Sequence, residues 1–388
     1  MNALQTRRFG RTGLQVGVVG FGGTWISELP EDDAVKVVRH AYNCGINYFD
    51  TAKLDGDSEE KIGVALKDVR DRCVIATKVG SRTKKESLED VECSLRRLRT
   101  DRIDLIQLHG IDDEKTLTKA MRIDGVLQTC KQARAKGMVD FIGITGHKPR
   151  VLKKAIETGE FDTVLVPLNV VTRQALEELV PLAKRHDIGV AVMKPLSAKT
   201  SNLITCLYQP SLSLLSDDVE LKALLGKDQN TMATSALRYV LSQDIAVTIP
   251  GMRSIKEVEV AAKVGSEFTS LTKEEASRFQ VELGNEWCRD CGLCNSCPQN
   301  LNVAAILRFH TLHDTYGLKN WARKLYAGLE VAVEKCNCCR ECEQKCPYQL
   351  SITSILQKAR NDFSCESSSH STCSHTTTKH NSTSPNVG

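Results

Sequence analysis

Short apolar runs rich in β-branched residues alternate with longer amphipathic stretches from residue 17 to about residue 265. The longer stretches carry apolar residues at helical spacing and acids in their first turns. The runs resemble buried strands, and there are eight of them: VGVVGFG, NYFD, CVIATKV, IDLIQLH, FIGIT, TVLVPL, GVAVMKP and IAVTIPG. Strands that alternate with helices pair in parallel, and eight of them close a barrel. The pattern predicts an α/β fold, the (β/α)8 TIM barrel.

A doubly wound open sheet is the competing architecture, and it usually carries a GxGxxG turn after its first strand. The first strand here is followed by GFGGTWIS, which lacks that spacing, so we prefer the barrel. Ahead of the barrel, RRFGRTGLQVG predicts a small hairpin with Gly13 in its turn, which we expect to plug the barrel floor. An insertion over residues 197–229 is expected to shape substrate access.

The alternation stops after residue 287, where two cysteine clusters flank a helical stretch. From residue 362 onward the chain is rich in Ser, Thr and His and poor in apolar residues, which is typical of disorder. We therefore predict three parts: a barrel over residues 1–285, a cysteine-rich helical domain over residues 286–361 and a disordered tail over residues 362–388.

Composition excludes some classes of partner. The 388 residues are 41% hydrophobic and 26% charged, as in an ordinary soluble globular protein. Because 52 Lys and Arg face 48 Asp and Glu, the net charge of +4 argues against nucleic acid or a membrane surface as a partner. No secretory signal and no apolar stretch of membrane-spanning length are found, so we expect a cytoplasmic protein without a disulfide framework.

Nine of the sixteen cysteines fall between residues 288 and 346. Three thiolates at CxxCxxC spacing can bind three corners of an iron-sulfur cube, and a fourth before a proline characteristically binds the partner cluster. Two such runs predict two [4Fe-4S] clusters in a C-terminal helical ferredoxin-like domain. By the ferredoxin pattern, one cluster takes Cys288, Cys291, Cys294 and Cys346, and the other takes Cys297, Cys336, Cys339 and Cys342.

Structural zinc is the alternative, since paired CxxC units also suit tetrahedral zinc. Each run here has four cysteines and ends in Cys-Pro, which favours clusters. Cys338 is left over as a non-ligand. The last gap of the first run is one residue shorter than usual, so the division of ligands between the clusters stays open.

Polar residues stand at the carboxyl ends of the predicted strands, where barrel enzymes place their chemistry. They are Asp50, Lys78, His109, Thr145, His147, Asn169, Lys194 and the PGMRS stretch that ends at Ser254. Glycine and arginine after the last strand suit a phosphate. Asp55 and Asp57 follow Asp50 closely, but no cage of hard-cation spacing is evident around them. We expect Asp57, with Ser58, to cap the next helix.

Eight motifs together carry a resemblance: RRFGRTGLQVGVVGFGG, NYFDTA, SEEKIG, VIATKVG, DLIQLHG, IGITGH, VMKPL and IPGMRS. In order, they resemble the motifs of the aldo-keto reductase family, and the trailing clusters resemble its ferredoxin-bearing branch. The resemblance implies a barrel that uses NADPH or NADH to reduce carbonyl groups. It assigns the catalytic positions to Asp50, Asp55, Lys78 and His109.

The same resemblance assigns the cofactor site. Thr145 and Asn169 would bind the nicotinamide amide, and Lys194 would lie in the cofactor bed. Arg253 and Ser254 would bind the adenosine phosphate. Two departures stand out: Leu165 replaces a usual polar residue, and SAK after MKPL lacks a usual glycine.

The tetrad of the family has a tyrosine where this chain has Asp55. A phenol next to a lysine can donate a proton to the alkoxide that hydride transfer forms, whereas a carboxylate at neutral pH has no proton to donate. We therefore expect weak carbonyl reduction unless His109 serves as the acid.

Two functions follow. The first is an iron-sulfur oxidoreductase that couples two clusters to redox chemistry at the barrel mouth, with a small-molecule carbonyl or alcohol substrate and a redox partner protein. The alternative is a catalytically altered electron-transfer or scaffold protein without carbonyl reductase activity.

Overall fold

The main element of the fold is a parallel sheet of eight strands that alternate with helices. The computed structural model describes residues 3–170, 172–196, 229–281, 288, 291–314 and 319–364. The strands are β1 Thr6–Arg8, β2 Gln15–Gly17, β3 Phe21–Gly22, β4 Tyr48–Asp50, β5 Val74–Val79, β6 Ile103–Leu108, β7 Val139–Thr145, β8 Thr163–Pro167, β9 Gly189–Met193 and β10 Val247–Ile249. Each strand from β3 to β10 pairs in parallel with the next one along the chain.

The first and last strands of this sheet meet and close it. Parallel bridges join Val19 to Thr248 and Gly22 to Gly251. The amide of Gly22 donates to Pro250 O at 3.0 Å. A Cβ at Gly22 would lie 2.9 Å from that oxygen, so this close approach requires glycine. The predicted (β/α)8 barrel is confirmed, and the open sheet is excluded.

Helices cover the outside of the barrel, and side chains cap several of them. The barrel helices are α1 Glu31–Asn43, α2 Ser58–Leu66, α3 Lys84–Arg97, α4 Glu114–Met121, α5 Val126–Ala135, α6 Pro149–Glu157, α7 Leu179–Arg185, α8 Gln229–Leu241, α9 Ile255–Ser266 and α10 Lys273–Val281. Asp113 caps α4 by accepting from Thr116 N at 2.8 Å. The predicted cap of α2 is wrong. Asp57 stands at the N-cap position of α2, but its side chain binds Lys61 of the same helix at 2.7 Å and forms no cap hydrogen bond, and Ser58 donates to Gly23 O.

Alternate residues of the strands fill the barrel interior. The buried set is Phe9, Val16, Tyr48, Val74, Ala76, Leu105, Leu165, Ala191, Ala246, Val247 and Ile249. Because side chains in a strand alternate between the two faces, the residues two positions further on also point inward. After Tyr48, Ala76 and Leu105 these residues are Asp50, Lys78 and Gln107. The same periodicity that builds the core therefore brings polar groups together at the barrel mouth.

The N-terminal hairpin closes the other end of the barrel. Strands β1 and β2 pair antiparallel, and Gly13 ends the turn between them with φ +72°. Phe9 is fully buried among the interior residues, and its ring meets Tyr48 edge-on at 5.6 Å. The predicted hairpin and its role as a plug are confirmed. Of the predicted insertion, residues 197–228 lie outside the described residues, as do residues 365–388 of the predicted tail.

Backbone contacts divide the chain into two compact units. The first comprises residues 1–293 with 346–350, and the second comprises residues 294–345 with 351–388. The helices described in the second unit are α11 Val303–Asp314, α12 Lys319–Ala327, α13 Glu341–Gln344 and α14 Ile352–Ser364. Helix α11 packs on α12 and α14, and Tyr326 stacks on Phe363 with ring centroids 4.4 Å apart. No helix in the described residues is both long and apolar enough to cross a membrane.

The plug yields a test of stability. We expect Phe9→Ala to lower the free energy of unfolding by about 3–5 kcal/mol, because it empties a fully buried aromatic site. Urea denaturation followed by circular dichroism measures this change. The control is Arg8→Ala, which removes only the exposed ion pair with Asp187 and should leave the denaturation midpoint unchanged. Equal midpoints for Phe9→Ala and the parent protein would contradict the plug.

Candidate active site

A buried ion pair lies at the centre of the barrel mouth. Asp50 ends β4 and pairs in register with Ala76 on β5. Lys78 lies two residues after Ala76, so its side chain points to the same side of the strand, into the barrel. The ammonium of Lys78 donates to Asp50 and, at 2.8 Å, to Thr51 O. Gln107 Nε2 donates to the second oxygen of Asp50 at 2.9 Å. Both charges are therefore paired and hydrogen-bonded.

Burial and neighbouring groups act in opposite directions on the pKa of Asp50 in this pair. Burial raises the pKa of Asp50, and the nearby carboxylate of Asp55 adds to this rise, whereas Lys78 and Gln107 act in the opposite direction. A charge removed from water in this way is stable only while its partner is present. The two residues therefore act as one neutral unit, whose geometry Thr51 and Gln107 complete.

His109 follows β6 directly. Its backbone amide donates to Val79 O at 3.0 Å, and its Nδ1 atom is buried with no hydrogen-bond partner within the described residues. Burial, helped by the positive charges of Lys78 and Arg82, lowers the pKa of His109 to about 3. At neutral pH the imidazole is therefore uncharged. It can orient a substrate oxygen or nitrogen through an N–H group, but it holds no imidazolium proton to donate.

Asp55 lies in the tight turn between β4 and α2. Its amide donates to Ala52 O at 2.9 Å, and its carbonyl accepts from Ser58 N at 3.1 Å. The half-buried side chain accepts a hydrogen bond from Thr24 Oγ1 at 3.1 Å. In the part of the chain that the structure describes, Asp55 forms no ion pair with a cation. It is the unpaired member of the catalytic set.

The three neighbouring acids have separate partners. Asp50 binds Lys78, Asp57 binds Lys61 and Asp55 binds Thr24. Over the described ranges, no three His, Cys, Asp or Glu side chains converge as they would on a single metal ion. The acids therefore do not form a common site.

The residues predicted to bind the nicotinamide, Thr145 and Asn169, and the predicted cofactor-bed residue Lys194 lie at the ends of β7, β8 and β9. Thr145 ends β7 and is buried. The Asn169 side chain donates to Lys194 O at 3.1 Å and accepts from Thr172 N at 2.8 Å. Lys194 has a left-handed backbone with φ +60°. Asn169 thus joins the loops that follow β8 and β9, which places Thr145, Asn169 and Lys194 at one end of the barrel.

The residues predicted to bind the adenosine phosphate lie at the start of α9. Ser254 caps this helix by accepting from Glu257 N at 3.2 Å, and Glu257 accepts from Arg253 N at 2.6 Å. The exposed guanidinium of Arg253 lies 3.5 Å from Glu28. A helix N-terminus beside an exposed, weakly paired arginine can bind an anion such as a phosphate.

Sequence reasoning missed two polar partners. Gln107, which holds Asp50, lies two residues before His109, and this inward spacing could have revealed it. Asp112 holds His147 through a hydrogen bond of 2.9 Å to Nδ1. Burial acts to raise the pKa of Asp112. The hydrogen bonds from His147 and the charge of His147 outweigh burial, so the pKa of Asp112 is lowered. No sequence pattern links Asp112 to His147, because they follow different strands.

Five cysteines line one small cavity of the second unit. They are Cys297, Cys336, Cys338, Cys339 and Cys342. Cys338 is exposed, has a left-handed backbone with φ +58°, and accepts from the amide of Gln357 at 3.8 Å. Of the remaining cysteines of the two runs, Cys294 is buried, and Cys288, Cys291 and Cys346 are half-buried.

Three comparisons relate the chain to known proteins. The profile of the Aldo/keto reductase family matches residues 13–281. An L-galactose dehydrogenase of Arabidopsis thaliana is 30% identical over 309 residues, covering 73% of this chain and 94% of the relative. The uncharacterized oxidoreductase YqkF of Bacillus subtilis is 27% identical over 300 residues, covering 73% and 92%. The solved aldo-keto reductase AKR11C1 from Bacillus halodurans, in its holo form, has a TM-score of 0.60 and 28% identity, covering 72% and 96%.

The low pKa of His109 predicts a pH effect on stability. Its folded pKa of about 3 lies below the ordinary value of about 6.5, so the unfolded chain binds the proton more tightly. Stability due to neutral His109 is complete above about pH 6.5 and is lost as the pH falls toward about 3. We expect the urea midpoint of the parent protein to fall more steeply over this window than that of His109→Gln. Parallel pH profiles would contradict the buried neutral state.

Proposed function

The chain belongs to the aldo/keto reductase family, and from this premise we propose an NADP(H)-dependent oxidoreductase that acts on small carbonyl or alcohol substrates. The family and its dehydrogenase relative support an enzyme rather than a binding module. One observation carries the proposal: the buried pair of Asp50 and Lys78 lies at the carboxyl ends of the barrel strands, with Gln107 on the adjoining strand β6 and His109 directly after it. Such a set, desolvated and held by hydrogen bonds, is typical of a catalytic centre.

NADP(H) is the cofactor that the residues fit. The Arg253 side chain and the start of α9 would hold a phosphate, and Thr145 and Asn169 would bind the nicotinamide end. When bound, the cofactor supplies or accepts a hydride. The protein would contribute the neutral pair of Asp50 and Lys78, and the uncharged imidazole of His109 as a hydrogen-bonding group for the substrate.

We also propose that the chain is of the ferredoxin-type branch and that residues 286–361 bind two [4Fe-4S] clusters. Four of the predicted ligands, Cys297, Cys336, Cys339 and Cys342, line the same cavity. The buried apolar residues Leu301, Val303 and Leu356 line it as well. Thiols with an apolar cover suit a cluster, whose potential depends on solvent exclusion. The ligands of the other cluster, Cys288, Cys291, Cys294 and Cys346, rest on their spacing alone.

The same arrangement favours clusters over zinc. The four ligands of a zinc site all coordinate the same ion, whereas each thiolate of a four-iron cluster binds a different iron. Each of the two runs ends in Cys-Pro, as ferredoxin runs do. Cys297 and Cys336 are close enough to interact electrostatically, as are Cys336 and Cys342, so these thiols surround a shared space.

Clusters carry single electrons, so we propose that the C-terminal segment exchanges electrons with the barrel chemistry and with a redox partner protein. A cytoplasmic location would keep the thiols reduced until the clusters are built. The second candidate, an electron-transfer or scaffold protein without reductase activity, is favoured by one observation. Asp55 replaces the tyrosine of the family, so the usual proton donor is missing.

Nucleotide binding is the first test of the proposal. We expect NADPH fluorescence to change saturably as the full chain is added, which gives a Kd. Arg253→Ala should weaken NADPH binding roughly 10-fold, because one charge-assisted contact to phosphate is lost. If Arg253 holds the extra phosphate, the affinity for NADH should not change. Lys256→Ala, also exposed near the start of α9, is the control and should bind NADPH as the parent does. A parent protein that binds neither nucleotide would exclude the enzyme.

Iron content tests the clusters. Anaerobic reconstitution should load about eight irons per chain, the number in two four-iron cubes. We expect Cys339→Ser to lose about half of this iron and half of the visible absorbance. Its neighbour Cys338 lies in the same run but outside the predicted ligand set, so Cys338→Ser should retain all of it. Loading by zinc alone, or equal losses in both variants, would contradict the proposed clusters.

A further inference from the structure

The charge at the barrel mouth points to a class of substrate. Asp50 and Lys78 neutralise each other, and Lys78 also donates to Thr51 O. His109 is uncharged at neutral pH because burial and the nearby positive charges of Lys78 and Arg82 lower its pKa. Among the four residues at the catalytic positions, Asp55 alone keeps an uncompensated charge within the described residues, and that charge is negative.

Nearby cations are committed elsewhere. Lys53, two residues before Asp55, binds Asp90. Arg82 donates to the backbone oxygens of Gly80 and His109. Lys61 binds Asp57 and three backbone carbonyls. The protein therefore leaves the Asp55 carboxylate without a positive partner in its described part.

The position of Asp55 is well defined. Two backbone hydrogen bonds hold its turn, and the hydroxyl of Thr24 joins that turn to the segment after β3. The carboxylate is close enough to Asp50 to raise the pKa of that residue. Leu54 beside it is 69% exposed and covers Gly80, so an apolar surface adjoins the acid. A ligand bound here meets one fixed negative charge and an apolar wall.

Chemistry at this position differs between carbonyl and imine substrates. Hydride transfer to a carbonyl carbon produces an alkoxide, which needs a proton that a carboxylate cannot give. A protonated imine carries its positive charge beforehand. Its carbon takes the hydride of NADPH, the π electrons of the C=N bond become the lone pair of nitrogen, and a neutral amine and NADP+ result. No proton is transferred in that step, and the amine is protonated later by water.

We propose that the barrel mouth reduces protonated imines, with Asp55 pairing with the iminium nitrogen. The ion pair keeps the imine in its reactive, protonated form and orients its carbon in the site that Gln107 and His109 border. This inference rests on the proposed NADP(H)-dependent function and specifies its substrate class. It also gives a role to the one catalytic position that departs from the family pattern.

The test compares two probes of similar shape on the full chain. They are 2-methyl-1-pyrroline, a cyclic imine, and cyclopentanone, its carbonyl analogue, each with NADPH and followed by nicotinamide absorbance and product analysis. We expect kcat/KM to favour the imine roughly 100-fold. Asp55→Asn should lower the imine kcat/KM roughly 10- to 100-fold, because it removes one charge-assisted contact. Asp57→Asn, in the same turn but bound to Lys61, should retain the imine rate.

A pH profile separates charge pairing from a structural role. The kcat for imine reduction should fall as the pH rises, because the bound imine loses its proton. Pairing with the Asp55 carboxylate should raise the pKa of the bound imine and so shift that fall to higher pH. In Asp55→Asn the fall should move to lower pH, while Asp55→Glu should restore part of the shift. An unmoved profile in Asp55→Asn would overturn the proposed ion pair.

The remaining outcomes distinguish the two proposals. If the parent protein binds NADPH but prefers the ketone or reduces neither probe, the imine inference fails and the cofactor proposal stands. If NADPH does not bind, both fail. A gain of ketone reduction in Asp55→Tyr, with loss of imine reduction, would support the inference, because the phenol restores a proton donor and removes the negative charge.

Discussion

Backbone hydrogen bonds from Gly20 to Thr248 and from Gly22 to Pro250 close the sheet, and this closure decides which side chains face inward. In a closed parallel barrel, every second residue of each strand enters the same interior. The lower positions are apolar and include Tyr48 and Leu105. The upper positions are polar, so that the core and the candidate active site are successive levels of one packing pattern.

The polar level is stable because its charges are balanced. An unpaired charge at this depth would be costly, and the Lys78 ammonium is bound by Asp50 and by a backbone oxygen. Gln107 holds the second oxygen of the carboxylate. Asp50 and Lys78 neutralise each other, whereas the Asp55 carboxylate forms no ion pair with a cation of the described residues.

The C-terminal segment consists of cysteine runs and helices. Its two cysteine runs are separated by helices, and the described residues of the second unit pack around α11. Four thiols of the predicted ligand set line one cavity there, together with Cys338. The left-handed backbone at Cys338 is uncommon for a residue other than glycine, and it accompanies an exposed side chain next to three predicted ligands.

The amino-acid sequence by itself determined the barrel, the hairpin plug and the strand-end positions of Asp50, Lys78 and His109, because strand periodicity and motif order are local properties of the chain. Only the tertiary structure decided the partners. The contacts of Gln107 with Asp50 and of Asp112 with His147 join residues that lie on, or directly after, different strands. The neutral state of His109 likewise depends on burial and on charges from other strands, which no local pattern records.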